Sequence, residues 1–148
     1  MIRKTFLSLA CSMSFLSPPQ VLAQQKDVPP VVLSGLQVYK AEGAAAAVKA
    51  WLVNSPVGDD AALISNTTAA LKRIQATYGT LIGHDILQSS PLGSRGARNY
   101  VILLFERGPL YAYFDTYRTS KGWIVTGFLF NGKPDEILPR SLFEGNLR

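Results

Sequence analysis

The sequence predicts an α+β fold: helices first, then an antiparallel sheet. Three observations carry that prediction. Up to Gly79 the apolar residues recur at three- and four-residue intervals, the period of a helix with one buried face. From Ala97 onward, runs rich in Tyr, Phe, Val and Ile alternate along the chain as strands do. Short turn signals, Arg107-Gly108-Pro109 and Ser120-Lys121-Gly122, separate those runs, so neighbouring strands pair in a meander. Helices followed by a meander is the order of an α+β protein. The 148 residues, 47% hydrophobic and 17% charged, suffice for one domain with a real core. They exclude a disordered polymer, and a single cysteine excludes a disulfide scaffold.

The first 23 residues read as a secretory signal. Arg3 and Lys4 give a basic start, Thr5 to Leu16 is a short apolar core, and Val21-Leu22-Ala23 places small residues for cleavage after Ala23. That core is too short to cross a hydrocarbon layer of about 30 Å as a helix, which argues against a membrane anchor. The triplet Leu9-Ala10-Cys11 faintly resembles a lipoprotein attachment site, but it leaves a very short apolar core and puts Ser8 where an aliphatic residue belongs. The expected location is the periplasm or the exterior, with no stable membrane insertion after cleavage. Removing residues 1–23 takes away two bases and no acid, so the formal charge falls from +5 to +3. The one cysteine leaves with them, and thiol catalysis and thiolate metal sites with it. The arginines of the remaining chain are scattered rather than striped, which argues against a nucleic-acid partner.

Residues 24–33, with Pro29-Pro30, read as an extended lead-in, and Ser34 as the N-cap of a helix over 36–53. Gly43 falls inside that helix, where it costs about 1 kcal/mol relative to Ala and permits a close helix contact. Asn54-Ser55-Pro56 stops it. Asp59 or Asp60 caps the next helix, whose buried stripe is Leu63, Ala70, Leu71, Ile74 and Tyr78 and whose C-terminal stop is Gly79. Asn66-Thr67 is a candidate break in it. Strands follow at 81–87, 97–106, 110–119 and 123–131, with 89–96 as a loop. The predicted domain spans 34–138, and 139–148 is a C-terminal tail in a polar stretch that begins at 134.

Ala50-Trp51, Tyr78-Gly79, Gly108-Pro109, Phe114-Asp115-Thr116-Tyr117-Arg118, Lys121-Gly122-Trp123-Ile124-Val125 and Phe128-Leu129-Phe130 give the chain a resemblance to small exported members of the NTF2-like (SnoaL-like, cystatin-like) superfamily. The resemblance covers most of 33–138, and its motifs are structural. It implies a cone: helices packed on the concave face of a curved antiparallel sheet, with a cavity between them and the second sheet face covered by a partner subunit or exposed. Fold alone does not carry function.

Alternation about the turn at Arg107-Gly108, which sets Leu104 opposite Tyr111 and Tyr100 opposite Asp115, sorts the strand residues into two faces. One carries Val101, Leu103, Phe105, Leu110, Ala112, Phe114, Ile124, Phe128 and Phe130 and should pack under the helices. The other carries Arg98, Tyr100, Ile102, Leu104, Tyr111, Tyr113, Asp115, Tyr117, Trp123 and Val125. Four of the six tyrosines lie on the second face, and Tyr and Trp give large contact area with a polar tip. That face reads as an association surface, and Arg98, Tyr100, Tyr111, Tyr113, Asp115, Tyr117 and Trp123 are its candidate ligand or interface residues. A bland reading remains beside it: an ordinary exposed sheet held by cross-strand pairs worth roughly 0.2–1 kcal/mol each.

Catalytic candidates are few. In the resembled fold, enzymes use an acid or a His, often with Tyr, as general acid and base inside the cone, and here that points to Asp115, His84 and Tyr113. His84 and Asp85 are adjacent in a strand and cannot form a dyad. Asp115 near Arg98 or Arg118 reads more simply as a surface ion pair. No phosphate loop, HExxH, GxSxG or dinucleotide fingerprint occurs, and one His without Cys argues against a transition-metal site. No cofactor is expected. The leading expectation is a non-enzymatic exported module acting through its cavity or its tyrosine face, a homodimer through the sheet, with a small apolar ligand or an envelope protein as partner. A cavity isomerase, dehydratase or hydrolase is the first alternative. An envelope peptide- or protein-binding module, using the edge strand 81–87 or the loop 89–96, is the second.

Overall fold

The computed structural model of the chain describes residues 28–144. Its elements run α1 (Pro30–Glu42), α2 (Ala44–Trp51), α3 (Ala61–Tyr78), then strands β1 (Leu81–Leu92), β2 (Gly96–Phe105), β3 (Gly108–Thr119) and β4 (Gly122–Asn131). A 3-10 turn (Pro134–Glu136) and a single helical turn, α4 (Ser141–Glu144), follow. The four strands form one antiparallel sheet in the order β1-β2-β3-β4. The three helices pack on one face of this curved sheet. The fold is therefore α+β, and its arrangement is compatible with a cone. The predicted signal segment lies outside the described residues.

The helical half differs from expectation in three places. Helix α1 begins at Pro30, because proline fits the first helical position, where its missing N–H would be unpaired anyway. Residues 30–33 are thus helical rather than an extended lead-in. Ser34 lies inside α1 and its hydroxyl donates back to the Val31 carbonyl at 3.2 Å, so it is not the N-cap. The expected single helix over 36–53 is two. Gly43 breaks it with φ +88°, a conformation that favours glycine, and a side chain there would meet nothing within 4 Å. Gly43 is there for its backbone and makes no close helix contact; Gly35 makes that contact instead.

Helix α3 is capped by Asp60, whose carboxylate accepts the Leu63 amide at 2.9 Å. It runs unbroken through Asn66-Thr67 and stops at Gly79 (φ +86°), whose N–H donates to the Gln75 carbonyl at 2.9 Å. Of its predicted stripe only Leu71 is fully buried; Leu63, Ile74 and Tyr78 are partly covered against the core.

In the sheet, β1 extends to Leu92, so the expected loop 89–96 shrinks to a turn after Leu92. The β2–β3 turn is Glu106-Arg107, one residue earlier than Arg107-Gly108, with Phe105 opposite Gly108. The Arg107 amide donates to the Tyr78 carbonyl at 2.9 Å and its guanidinium to the Ala76 carbonyl at 3.0 Å, tying the turn to the end of α3. The pairing slips by two residues from the expected one: Leu104 faces Pro109 and Tyr100 faces Tyr113. A two-residue slip preserves the faces of β2 and β3.

In β4 they are not preserved. A bulge at Thr126 lets Asp115 pair with Gly127 and Thr116 with Val125. That extra residue exchanges the sides of everything before it. Val125, expected among the tyrosines, joins the core with no exposed surface, and Ile124, expected in the core, lies opposite Tyr117. The segment after β4 is not a plain polar tail, since it holds the 3-10 turn, α4 and a buried Ile137.

The core centres on Trp51. Its ring lies 5.0 Å from Phe114, 5.8 Å from Phe130, 6.1 Å from Tyr39 and 6.2 Å from Phe128, and its indole N–H donates to the Val32 carbonyl at 3.2 Å. Gly35 of α1 faces this ring so closely that a Cβ would fall inside the indole. These aromatics occupy the space between the helices and the centre of the sheet. Leu36, Val48, Leu71, Val101, Leu103 and Leu110 complete the buried cluster.

Candidate functional site

The outer face of the sheet, turned away from the helices, brings most of the predicted surface residues together. Cross-strand pairing sets Arg98 against Asp115, Tyr100 against Tyr113 and Ile102 against Tyr111. On the β4 side, Leu129 pairs with Tyr113, Asn131 with Tyr111 and Ile124 with Tyr117. Arg98 and Asp115 form a two-pronged ion pair: Nε donates to Oδ1 and Nη2 to Oδ2, each at 2.7 Å. The hydrogen bond to Asp115 holds the Arg98 guanidinium even more firmly protonated than usual. Its Cζ sits 4.1 Å from the centre of the Tyr113 ring, and Tyr113 meets Tyr100 edge to face at 6.4 Å. Arg95 lies over the Tyr117 ring at 5.6 Å. The ion pair expected from the sequence is present, and Arg98 rather than Arg118 is the partner.

The result is a neutral, aromatic and half-apolar surface. Tyr111, Tyr113 and Ile102 are half-buried, Tyr100 is nearly covered, and Tyr117 and Leu129 stand exposed at 42% and 47%. Trp123 does not belong to this surface. The Thr126 bulge puts it opposite Arg118, in the column of Thr116 and Phe114, where it lines a small cleft of about 290 Å³ with Asn54, Lys121 and Ile124.

The catalytic candidates do not assemble. Asp115 and Tyr113 are on the outer face, and Asp115 is bound by Arg98. His84 pairs with Leu103 in the column that faces the helices, while Asp85 pairs with Ile102 in the outer column. The two therefore diverge, as adjacent strand residues must. Among the described residues no group of three His, Cys, Asp or Glu side chains could hold a metal ion, and no helix is long and apolar enough to cross a membrane.

Sequence reasoning missed one polar constellation. Asn99 is fully buried on the helix side of β2. Its amide donates to the Phe114 carbonyl and the Thr116 hydroxyl, both at 3.1 Å, and its oxygen accepts from Ser89 at 2.8 Å. Thr116 in turn donates to the Ala97 carbonyl at 3.1 Å. Every member is satisfied, so the network fixes strand register and leaves no group free for a ligand. The alternation of β2 could have located it, since Asn99 falls in the same parity as Val101 and Leu103.

A second cleft, about 300 Å³, opens between α3 and β4, with Leu63, Asn66, Thr67, Ala70 and Ile74 on one wall and Phe128, Leu129 and Phe130 on the other.

The fold and site together define a small α+β protein with helices on one sheet face and an aromatic surface on the other that no helix among the described residues covers. No protein-family model, no curated protein and no solved structure matches the chain.

Proposed function

We propose that this is an exported association module of the NTF2-like kind, not an enzyme, and that it acts as a homodimer joined through the outer face of its sheet. The observation that carries the reading is the neutral aromatic surface built on Tyr111, Tyr113, Tyr117, Ile102 and Leu129 around the Arg98–Asp115 pair. Tyrosines suit an interface because each contributes area and a polar tip at small entropic cost. A mutually neutralised pair adds no net charge to repel a second copy. The area also fits. Four strands about 4.8 Å apart and roughly ten residues long present about 600 Å² a side, near the lower end of standard interfaces.

An enzymatic role would require Asp115 or His84 as an acid or base inside the cone. Asp115 instead faces outward in a two-pronged ion pair, which supports association over catalysis. The signal-like segment at 1–23 supports export.

Interface variants test the proposal. In sedimentation velocity at about 100 µM, where a micromolar interface is filled, the wild type should run as a dimer. Tyr113→Glu should run as a monomer with an unchanged far-ultraviolet circular dichroism spectrum. A wild-type monomer, or a Tyr113→Glu dimer, contradicts it.

A further inference from the structure

The bulge that takes Trp123 out of the tyrosine face gives it other neighbours. The cleft it lines, about 290 Å³, lies where the loop after α2 meets the β3–β4 turn. Asn54 enters from the loop, and Thr119, Ser120, Lys121 and Ile124 from the turn and the start of β4. Thr119 is committed to the turn itself: its hydroxyl donates to the Gly122 carbonyl at 2.8 Å and accepts the Lys121 amide at 3.1 Å. Among the described residues the side chains of Asn54, Ser120, Lys121 and Trp123 have no such partner. Asn54 is the one non-glycine residue described with a left-handed backbone, φ +58°, a conformation that Asn adopts more readily than most.

The charge of the cleft is one-sided. Among the described residues Lys121 is the only charged member of its lining, and Arg118 is the cross-strand partner of Trp123. The single ion pair among the described residues is Arg98–Asp115, so neither cation has an acid of its own there. These features specify an occupant part by part. The half-buried indole offers a flat face of negative potential, which suits a ring whose C–H bonds point at it. Two unpaired cations beside that ring suit one carboxylate. The Asn54 amide and the Ser120 hydroxyl both donate and accept, as a ligand's hydroxyl groups require. A flat acid without hydroxyls would strip water from those two groups and return nothing. The volume stands at the lower end for small-ligand sites, which admits one ring and not a chain of them.

We propose that this cleft binds a single acidic sugar, a pyranose ring bearing a carboxylate, with the ring face on Trp123, the carboxylate towards Lys121 and Arg118, and hydroxyl groups on Asn54 and Ser120. The cleft touches the outer sheet face only through Ile124, the cross-strand partner of Tyr117. None of the side chains that hold the sugar belongs to the interface proposed above, so sugar binding and dimer formation are read separately.

The test is a titration of the chain, purified from the exported fraction, with sodium glucuronate. Nuclear magnetic resonance follows the indole N–H of Trp123 and the amides of Lys121 and Gly122. Trp51, the other tryptophan, is fully buried and serves as the internal reference. Saturable shifts at Trp123 are expected with a Kd of about 1 mM, ordinary for a ligand of about a dozen non-hydrogen atoms. Glucose lacks the charge and benzoate lacks the hydroxyl groups. Each should bind at least about tenfold more weakly, the effect of losing one charge-assisted hydrogen bond or two neutral ones. Lys121→Ala, in an exposed turn, should weaken glucuronate binding about tenfold. Asn54→Gly keeps the left-handed backbone and removes the amide, and should weaken it about fivefold. Lys72→Ala, an equal change of charge on the exposed side of α3, and Tyr113→Glu on the other sheet face should stay within about twofold, since salt screens distant charges. Three results would overturn the proposal. One is no saturable shift at Trp123, and a second is glucose or benzoate binding as tightly as glucuronate. The third is an equal loss in Lys72→Ala and Lys121→Ala, which would reduce the effect to net charge. Loss of binding in Tyr113→Glu alone would overturn it too, since the sugar would then sit on the sheet face.

Discussion

The contact between Gly35 and Trp51 makes a double-mutant prediction with a change of sign. In the wild type, Gly35→Ala places a methyl where the fully buried indole already sits. The ring is held among Tyr39, Phe114, Phe128 and Phe130 and has no exposed surface, so it yields only by displacing its neighbours. Overpacking of this kind costs about 1–3 kcal/mol, and at a rigid buried ring the upper end applies. Ala over Gly inside a helix returns about 1 kcal/mol. The net loss is about 2 kcal/mol, which for a domain of this size lowers Tm by roughly 8 °C. Trp51→Ala alone should cost about 3–5 kcal/mol. In that background the obstacle is gone, so adding Gly35→Ala should stabilise by about 1 kcal/mol, the helix term alone. The cycle thus gives a coupling of about 3 kcal/mol, well beyond the few tenths seen for independent sites. Urea unfolding followed by circular dichroism at 222 nm measures all four corners. If Gly35→Ala destabilises equally in both backgrounds, the close approach of α1 to the indole is wrong.

Three further outcomes follow from single contacts. Burial pushes the Tyr39 phenol up to about 12, while an unfolded Tyr titrates near 10. The native state therefore holds the proton more tightly, and its contribution is complete below pH ~10. It is lost as pH climbs towards 12, at about 1.4 kcal/mol per unit. Tyr39→Phe should flatten this alkaline limb in stability measured against pH, and an unchanged limb would assign it to other groups. Asp60→Ala removes the carboxylate that accepts the Leu63 amide and should cost about 1 kcal/mol in urea unfolding, as lost N-caps do; no loss would mean that water replaces the cap. Asp115→Asn should cost less than about 1 kcal/mol, because the pair with Arg98 is partly exposed, 35% and 25% by side chain. A larger loss would show that the pair organises the face around it.

The fold class was legible because the period of the apolar residues changes after Gly79, and because Gly79, Asp60 and the two strand turns carry recognisable local chemistry. The two faces of β2 and β3 were legible for a more forgiving reason: an error of two residues at the Glu106-Arg107 turn leaves every side chain on its own side. The Thr126 bulge has no such protection. One unpaired residue moved Val125 into the core and took Trp123 out of the tyrosine face, and neither change is written in the alternation of Trp123-Ile124-Val125. The helix start is hidden in the sequence because Pro29-Pro30 carries two meanings, extended chain or first helical turn, and only the burial of Val32 beneath Trp51 decides between them. Gly43 and Gly35 look alike in sequence, yet one serves backbone conformation and the other clearance. The Arg98–Asp115 pair could be anticipated because both residues fall on the same face of adjacent strands; the Tyr113 ring beneath the guanidinium depends on register.

Native mass spectrometry of the mature chain, purified from the exported fraction, decides whether the tyrosine face joins two copies of this chain. A dimer should give twice the chain mass with nothing added, falling to the single mass for Tyr113→Glu. A monomer at every concentration would contradict it, and a monomer that retains a small molecule would move the function from the sheet face to a binding cavity.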